Sequence, residues 1–131
     1  MAEAEKTEKI TINLVAVDLG QVDLLVQEGF YANRTDFIRT AIRAQLASRE
    51  GAVTQTVARR EMVLGTRHYS RRELEEVRAA GRTVRIRVLG LATIADDVPA
   101  DLALATIESV EVLGAFRAGP AVRTALAPRT A

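Results

Sequence analysis

Residues 9–14, KITINL, alternate strictly: Ile10, Ile12 and Leu14 are separated by Thr11 and Asn13 and preceded by Lys9. A period of two predicts a strand with one apolar side and one polar side. A lone strand of this length can neither bury its apolar side nor satisfy its backbone edge, so it needs a partner. The simplest partner is the same strand from a second copy of the chain. Two copies form an antiparallel ribbon whose open face carries Lys9, Thr11 and Asn13 from each strand.

Outward from this stretch, two helical segments are split at EGFYANRT, residues 28–35. In the first, Val22, Leu25 and Val26 recur at i, i+3 and i+4 and form one apolar stripe. Asp18 is expected as its N-cap and Gly29 as its C-terminal stop. The second is expected to begin at Asn33, with Asp36 in the first turn where the helix dipole favours an acid. Phe37, Ile38, Ala41, Ile42 and Leu46 should line its buried face, with Arg39 and Arg43 between them in solvent or partly at the dimer rim. A two-stranded ribbon has the width of the DNA major groove.

With strand, helix, turn and helix in this order, residues 8–48 resemble the CopG-type ribbon-helix-helix family of DNA-binding proteins. ITINL stands for the strand, VDLGQVDLLVQEG for the first helix and NRTDFIRTAIRAQL for the second. NRTDFIRTAIR is also similar to the DNA-binding half of the nickel-responsive regulators. The resemblance covers about a third of the chain. In that family the ribbon's polar residues read base edges, and the start of the second helix holds a phosphate. The resemblance therefore implies Lys9, Thr11 and Asn13 as base readers and Asn33, Arg34 and Thr35 as the phosphate clamp.

Beyond residue 48, SREGAVTQTVARREMVL reads as a helical extension or connector, with Gly51 at the expected module boundary. Arg59 and Arg60 are placed there as solvated residues with DNA backbone as the alternative. Ser70 and Glu73 form a capping box, and Gly81 sits where a helix over about 70–80 would stop. Leu74 and Val77 mark its buried side. RTVRIRVLG then alternates with Val84, Ile86 and Val88 inward and Arg85 and Arg87 outward. Val88-Leu89-Gly90 recurs as Val112-Leu113-Gly114, 24 residues on. Each copy leads through a proline, Pro99 or Pro120, to a helix-like stretch. Each unit reads as strand, glycine turn, strand and proline-started helical turn, which suggests a short β-solenoid or a parallel layer with helices on one side. The expected fold class is α+β. Residues 1–50 form an intertwined ribbon-helix-helix dimerisation and DNA-binding domain, 51–65 a linker or helical extension, and 66–131 a small α/β oligomerisation or sensing domain.

Composition excludes several chemistries. Among 131 residues there is no cysteine and one histidine. Disulfides, thiolate sites and a transition-metal ligand set therefore fall away. His68 reads as structural or surface, and the metal-sensing half of the nickel regulators has no counterpart. Asp96-Asp97 before Pro99 reads as turn capping, and Gly90 and Gly114 make no phosphate loop. No catalytic residues, metal or cofactor are expected, and an enzyme is rejected. No apolar run is long enough to span a bilayer, and MAEAEKTEK lacks the regions of a signal peptide. A cytoplasmic location in a prokaryote is expected.

Charge is uneven. Residues 1–50 carry six Lys/Arg against eight Asp/Glu, residues 51–87 nine against four, and residues 88–131 three against five. The part resembling a DNA binder is thus net acidic, although a basic footprint is usual. The expected function is a sequence-specific transcriptional regulator, a repressor, binding double-stranded DNA as a homodimer and forming higher oligomers through its C-terminal domain. The alternatives are an antitoxin whose C-terminal part binds a toxin protein, and a structural, assembly-forming protein.

Overall fold

The computed structural model describes residues 7–131, and the chain divides into one unit up to Thr54 and another from Gln55 to Ala131. The acidic start MAEAEK lies outside the described residues.

In the first unit, α1 spans Ala16–Gln27. Val15 rather than Asp18 is its N-cap, and Asp18 sits in the first turn. The helix starts one residue before the VDLG run, and the acid serves the positive dipole end from inside it. Gly29 (φ +84°) stops the helix. Its N–H donates to the Val26 carbonyl at 3.1 Å and that of Phe30 to Leu25 at 3.0 Å, the paired bonds of a Schellman turn. α2 spans Arg34–Ser48, and the Asn33 side chain accepts from the Asp36 N–H at 2.8 Å. The Asp36 carboxylate reaches back to accept from the Ala32 N–H at 2.9 Å. Tyr31 and Phe37 meet edge to face, 5.0 Å between centroids, and pin the entry of α2.

The apolar stripes of this unit are mostly left in water. Val22 is buried, and Leu25, Val26, Phe37 and Ile38 are half-buried. Ala41, Ile42 and Leu46, expected inside, are exposed. The helix period is right, but these residues stay in solvent in the single chain. Residues 7–15 belong to no helix or strand. The alternation of KITINL is therefore not realised as a strand here, since no described strand pairs with it.

A third helix, α3, spans Glu50–Arg59, and the division between the units falls inside it. Its end is another Schellman turn, with Met62 N–H donating to Val57 and Glu61 N–H to Ala58. Glu61 occupies the left-handed position at φ +53° that glycine usually fills.

The second unit repeats strand and helix three times: β1 Val63–Tyr69, α4 Arg71–Ala79, β2 Val84–Ile94, α5 Ala100–Thr106, β3 Ile107–Arg117 and α6 Pro120–Leu126. The strands form one parallel sheet in the order β1-β2-β3. Ser70 caps α4 by accepting from Glu73 N–H at 3.1 Å, and Gly81 closes it with a Schellman turn. The Glu73 carboxylate pairs with Arg67 and does not close the box on Ser70. Pro120 is the first residue of α6, as expected, while Pro99 is the N-cap of α5, one position earlier.

The VLG repeat has three copies. Val63-Leu64-Gly65 pairs residue for residue with Val88-Leu89-Gly90, and that with Val112-Leu113-Gly114. The glycines are not turns, since β2 and β3 each run straight through theirs. All three sit at positive φ, between +118° and +139°. A Cβ on Gly90 would lie 2.1 Å from the Gly65 carbonyl oxygen, and one on Gly114 equally close to that of Gly90. Identical kinks nest only when stacked in register, so glycine is required sterically at every inner rung.

Ile86, Val88, Ala92, Ile94 and Val110 face one way and join Leu74, Leu102, Ala103, Val122 and Leu126 from the three helices in one core. α4, α5 and α6 pack side by side in chain order, so the helices form one layer on one face of the sheet. The buried Thr106 hydroxyl donates to the Leu102 carbonyl at 2.7 Å, so its burial leaves no orphan.

Gly90→Ala should cost more than about 3 kcal/mol of unfolding free energy, since it adds a backbone collision to the φ strain. Gly65→Ala, with open space at its Cβ, should lose only about 1–3 kcal/mol from strain. Equal losses in urea titrations would mean the stack is not sterically set. Glu61→Gly should raise stability by roughly 1 kcal/mol by relieving the left-handed residue; thermal melts showing no gain would place a compensating role on the glutamate side chain.

Candidate nucleic-acid interface

Lys9, Thr11 and Asn13 lie in the segment before α1, and all are exposed. Ile10, Ile12 and Leu14, which alternate with them, are 73%, 55% and 43% exposed. The chain thus leaves both the polar and the aliphatic residues of KITINL in solvent. Val15, Val17, Leu24, Phe30, Ile42 and Leu46 are exposed in the same unit. Between the helices runs an open groove lined by Leu14, Asp18, Gln21, Val22, Leu25 and Phe37. A soluble unit rarely presents this much unpartnered aliphatic surface unless another chain covers it.

Asn33, Arg34 and Thr35 come together at the start of α2, exposed to solvent. Their side chains have distinct tasks. Asn33 uses its carbonyl oxygen to cap the helix. Arg34 forms a two-pronged pair with Asp23 of α1, Nε to Oδ1 and Nη2 to Oδ2, both at 2.8 Å. The hydrogen bonds from Arg34 hold the Asp23 carboxyl below its ordinary range, and the same contact raises the guanidinium. This pair locks α1 to the start of α2 and sets a neutralised guanidinium beside the helix end. The Asp23 contribution carries no signal in the sequence, because it pairs across the turn at no regular spacing. What remains for an anion is the positive end of the helix and the Thr35 hydroxyl.

The basic stretch of residues 51–87 is not a free cationic surface. Arg60 and Arg87 both reach Glu111, the latter at 3.3 Å, and Arg85 reaches Glu108 at 3.3 Å. Arg67 pairs with Glu73 and also stacks on the Tyr69 ring, 4.2 Å from its centroid. Arg71 and Arg72 pair with Glu75 and Glu76 one turn on, and Arg78 with Asp101. Arg60, placed as solvated or on DNA backbone by sequence, is thus held by a carboxylate of β3.

His68 is exposed on β1, its Nδ1 2.6 Å from the Thr93 hydroxyl. Asp96 and Asp97 stand exposed in the turn before Pro99, where the Asp97 carbonyl accepts from Arg71 at 3.2 Å. Among the described residues no group of three His, Cys, Asp or Glu could hold a metal ion. Nor is any described helix long and apolar enough to cross a membrane.

No curated protein and no solved structure matches the chain. The model of the Ribbon-Helix-Helix transcriptional regulator family matches residues 5–123, nearly the whole length and including the stacked second unit. A strand-like segment alternating polar and aliphatic residues, two capped helices at the expected spacing, and this match establish that the chain belongs to the ribbon-helix-helix transcriptional regulator family.

Proposed function

We propose that the protein is a sequence-specific repressor that reads the DNA major groove with a ribbon made from two copies of residues 9–14. The observation that carries this reading is the exposure of Ile10, Ile12 and Leu14 in the single chain. Pairing the segment with itself buries that aliphatic row over α1 and α2 of both copies, in the groove beside Val22 and Phe37. Burial of three aliphatic side chains per copy contributes about 1.5–3 kcal/mol each. The same pairing turns Lys9, Thr11 and Asn13 outward together.

In the groove, the Lys9 ammonium donates to guanine O6 or N7, and the Asn13 amide pairs with adenine N6 and N7. Thr11 serves either partner. The start of α2 sets the register by receiving a phosphate on its free N–H groups and the Thr35 hydroxyl, without reading sequence. Arg34 acts there mainly through Asp23, fixing the position of the helix end. Twofold symmetry makes the operator palindromic. The second unit, read as a three-rung solenoid, gives the two copies of the dimer a second contact. Its ordered, well-packed sheet suits assembly better than the toxin-binding tail of an antitoxin, and the polar row of the ribbon speaks against a purely structural role. Such a regulator works in the cytoplasm.

The test begins by selecting bound duplexes from a random pool, then measures operator and random DNA by gel shift. Asn13→Ala should lower the preference for operator by roughly 1–3 kcal/mol. Unchanged preference in alanine variants of Lys9, Thr11 and Asn13 would remove the ribbon readout. Arg34→Ala should weaken operator and random DNA alike, because it frees a carboxylate beside the phosphate and loosens the helix end. A loss confined to the operator would make Arg34 a base reader instead.

A further inference from the structure

The helix layer covers one face of the second unit's sheet, and the opposite face is open. On it Leu64, Leu89 and Leu113 stand side by side across the three strands, directly paired in register. Leu64 is 63% exposed and Leu113 47%. One step along, Leu91 and Ala115 extend the apolar patch beside Thr66 of β1. Parallel sheets are ordinarily covered on both faces. Strands that face water on one side carry polar residues there, and these do so only at the two ends, with His68, Thr93 and Arg117 in register at the far one. Arg85 and Arg87 occupy the same face of β2, where their carboxylate partners already neutralise them. The patch therefore has an apolar centre and a self-satisfied polar rim, the anatomy of a protein interface.

We infer that this leucine face packs against the same face of a second copy of the chain, the two copies being those joined by the N-terminal ribbon. The inference rests on the dimer proposed above. The open edge of β1 is a poorer candidate, since its Gly65 kink, at φ +125°, fits only a parallel neighbour carrying the same kink. The face is self-complementary. A twofold axis running along β2 at Leu89 sets Leu64 of each copy opposite Leu113 of the other, closing the contact without propagating it.

Area argues for the tethered copy over any other occupant. Three strands about 4.8 Å apart and two apolar rows give on the order of 200–300 Å² per copy. A free-standing interface needs about 800 Å² per partner. A face this small associates only where the partner is already held close, and a linked second copy supplies an effective concentration of order millimolar.

The full chain has no cysteine, so single cysteines report the contact directly. Leu89→Cys and, as a control on the exposed end of α4, Ala79→Cys are exposed to a mild oxidant, with mass measured by light scattering. The expected result is a dimeric mass, with Leu89→Cys chains joining at least about tenfold faster than the control and at a rate independent of dilution. Adding Leu64→Glu to Leu89→Cys should slow the joining at least about fivefold, and adding Leu113→Lys as well should restore it. Equal rates for the two cysteines, a rate that falls in proportion to dilution, indifference to the charged pair, or a monomeric mass would each overturn the inference. Operator binding is read separately. Its loss with joining intact removes the regulator reading alone, and slow joining with intact binding removes only this face.

Discussion

The N-terminal unit depends on aliphatic residues that its own chain leaves unburied. Among the described residues of that unit only Val22 is buried, although Ile10, Ile12, Leu14, Ile42 and Leu46 follow strand and helix periods. Removing apolar surface from water is the dominant favourable term in folding and association. A unit that satisfies its local rules and buries this little leaves an apolar surface for another chain to cover. Its helices are nonetheless ordered within the single chain. The Schellman turn at Gly29, the Asn33 cap and the Asp23–Arg34 pair fix the angle between α1 and α2. Any association of this unit would therefore have less to order.

The second unit solves the same problem within one chain. Three short helices cover one side of three parallel strands, and each rung rests on the previous one through an in-register glycine. The kink that imposes glycine also imposes register, because a slip of one residue would drive a Cβ into a backbone carbonyl. The repeat is specified by steric exclusion as much as by hydrophobic burial, and the exposed leucine row is a by-product of carrying VLG at the same place in each rung.

How much of this was legible in the sequence varied with range. Local signals were: Gly29, Asn33, Ser70, Gly81 and Pro120 do what their chemistry predicts. The repeat is plain in sequence at Val88 and Val112, whereas its first copy at Val63 is hidden because β1 is brief and lacks the outward arginines that make β2 conspicuous. Val-Leu-Gly suggests a turn, and only the stacked partner strand shows why each glycine stays in line. Asp18 resembles a cap in sequence because Val15, the actual N-cap, offers no side chain for the task. The sequence proposes a candidate site, Lys9, Thr11 and Asn13 with Asn33, Arg34 and Thr35, and the structure leaves all six exposed. The Asp23–Arg34 pair was not legible there, since long-range pairing leaves no periodic trace.

The charge distribution sets how such a protein can hold DNA. Nonspecific affinity comes mainly from cations that displace counterions from phosphates. Here residues 1–50 carry more acid than base. The arginine-rich stretch that follows is largely spent on Glu73, Glu75, Glu76, Asp101, Glu108 and Glu111 within its own unit. Little generic attraction is left, so DNA binding at this charge depends on a few donors whose geometry must be right. Small contacts gain most from being linked, because a second one then forms at an effective concentration set by the tether. A regulator with a weak cationic surface therefore gains more from linking its DNA contacts than one that could rely on charge alone.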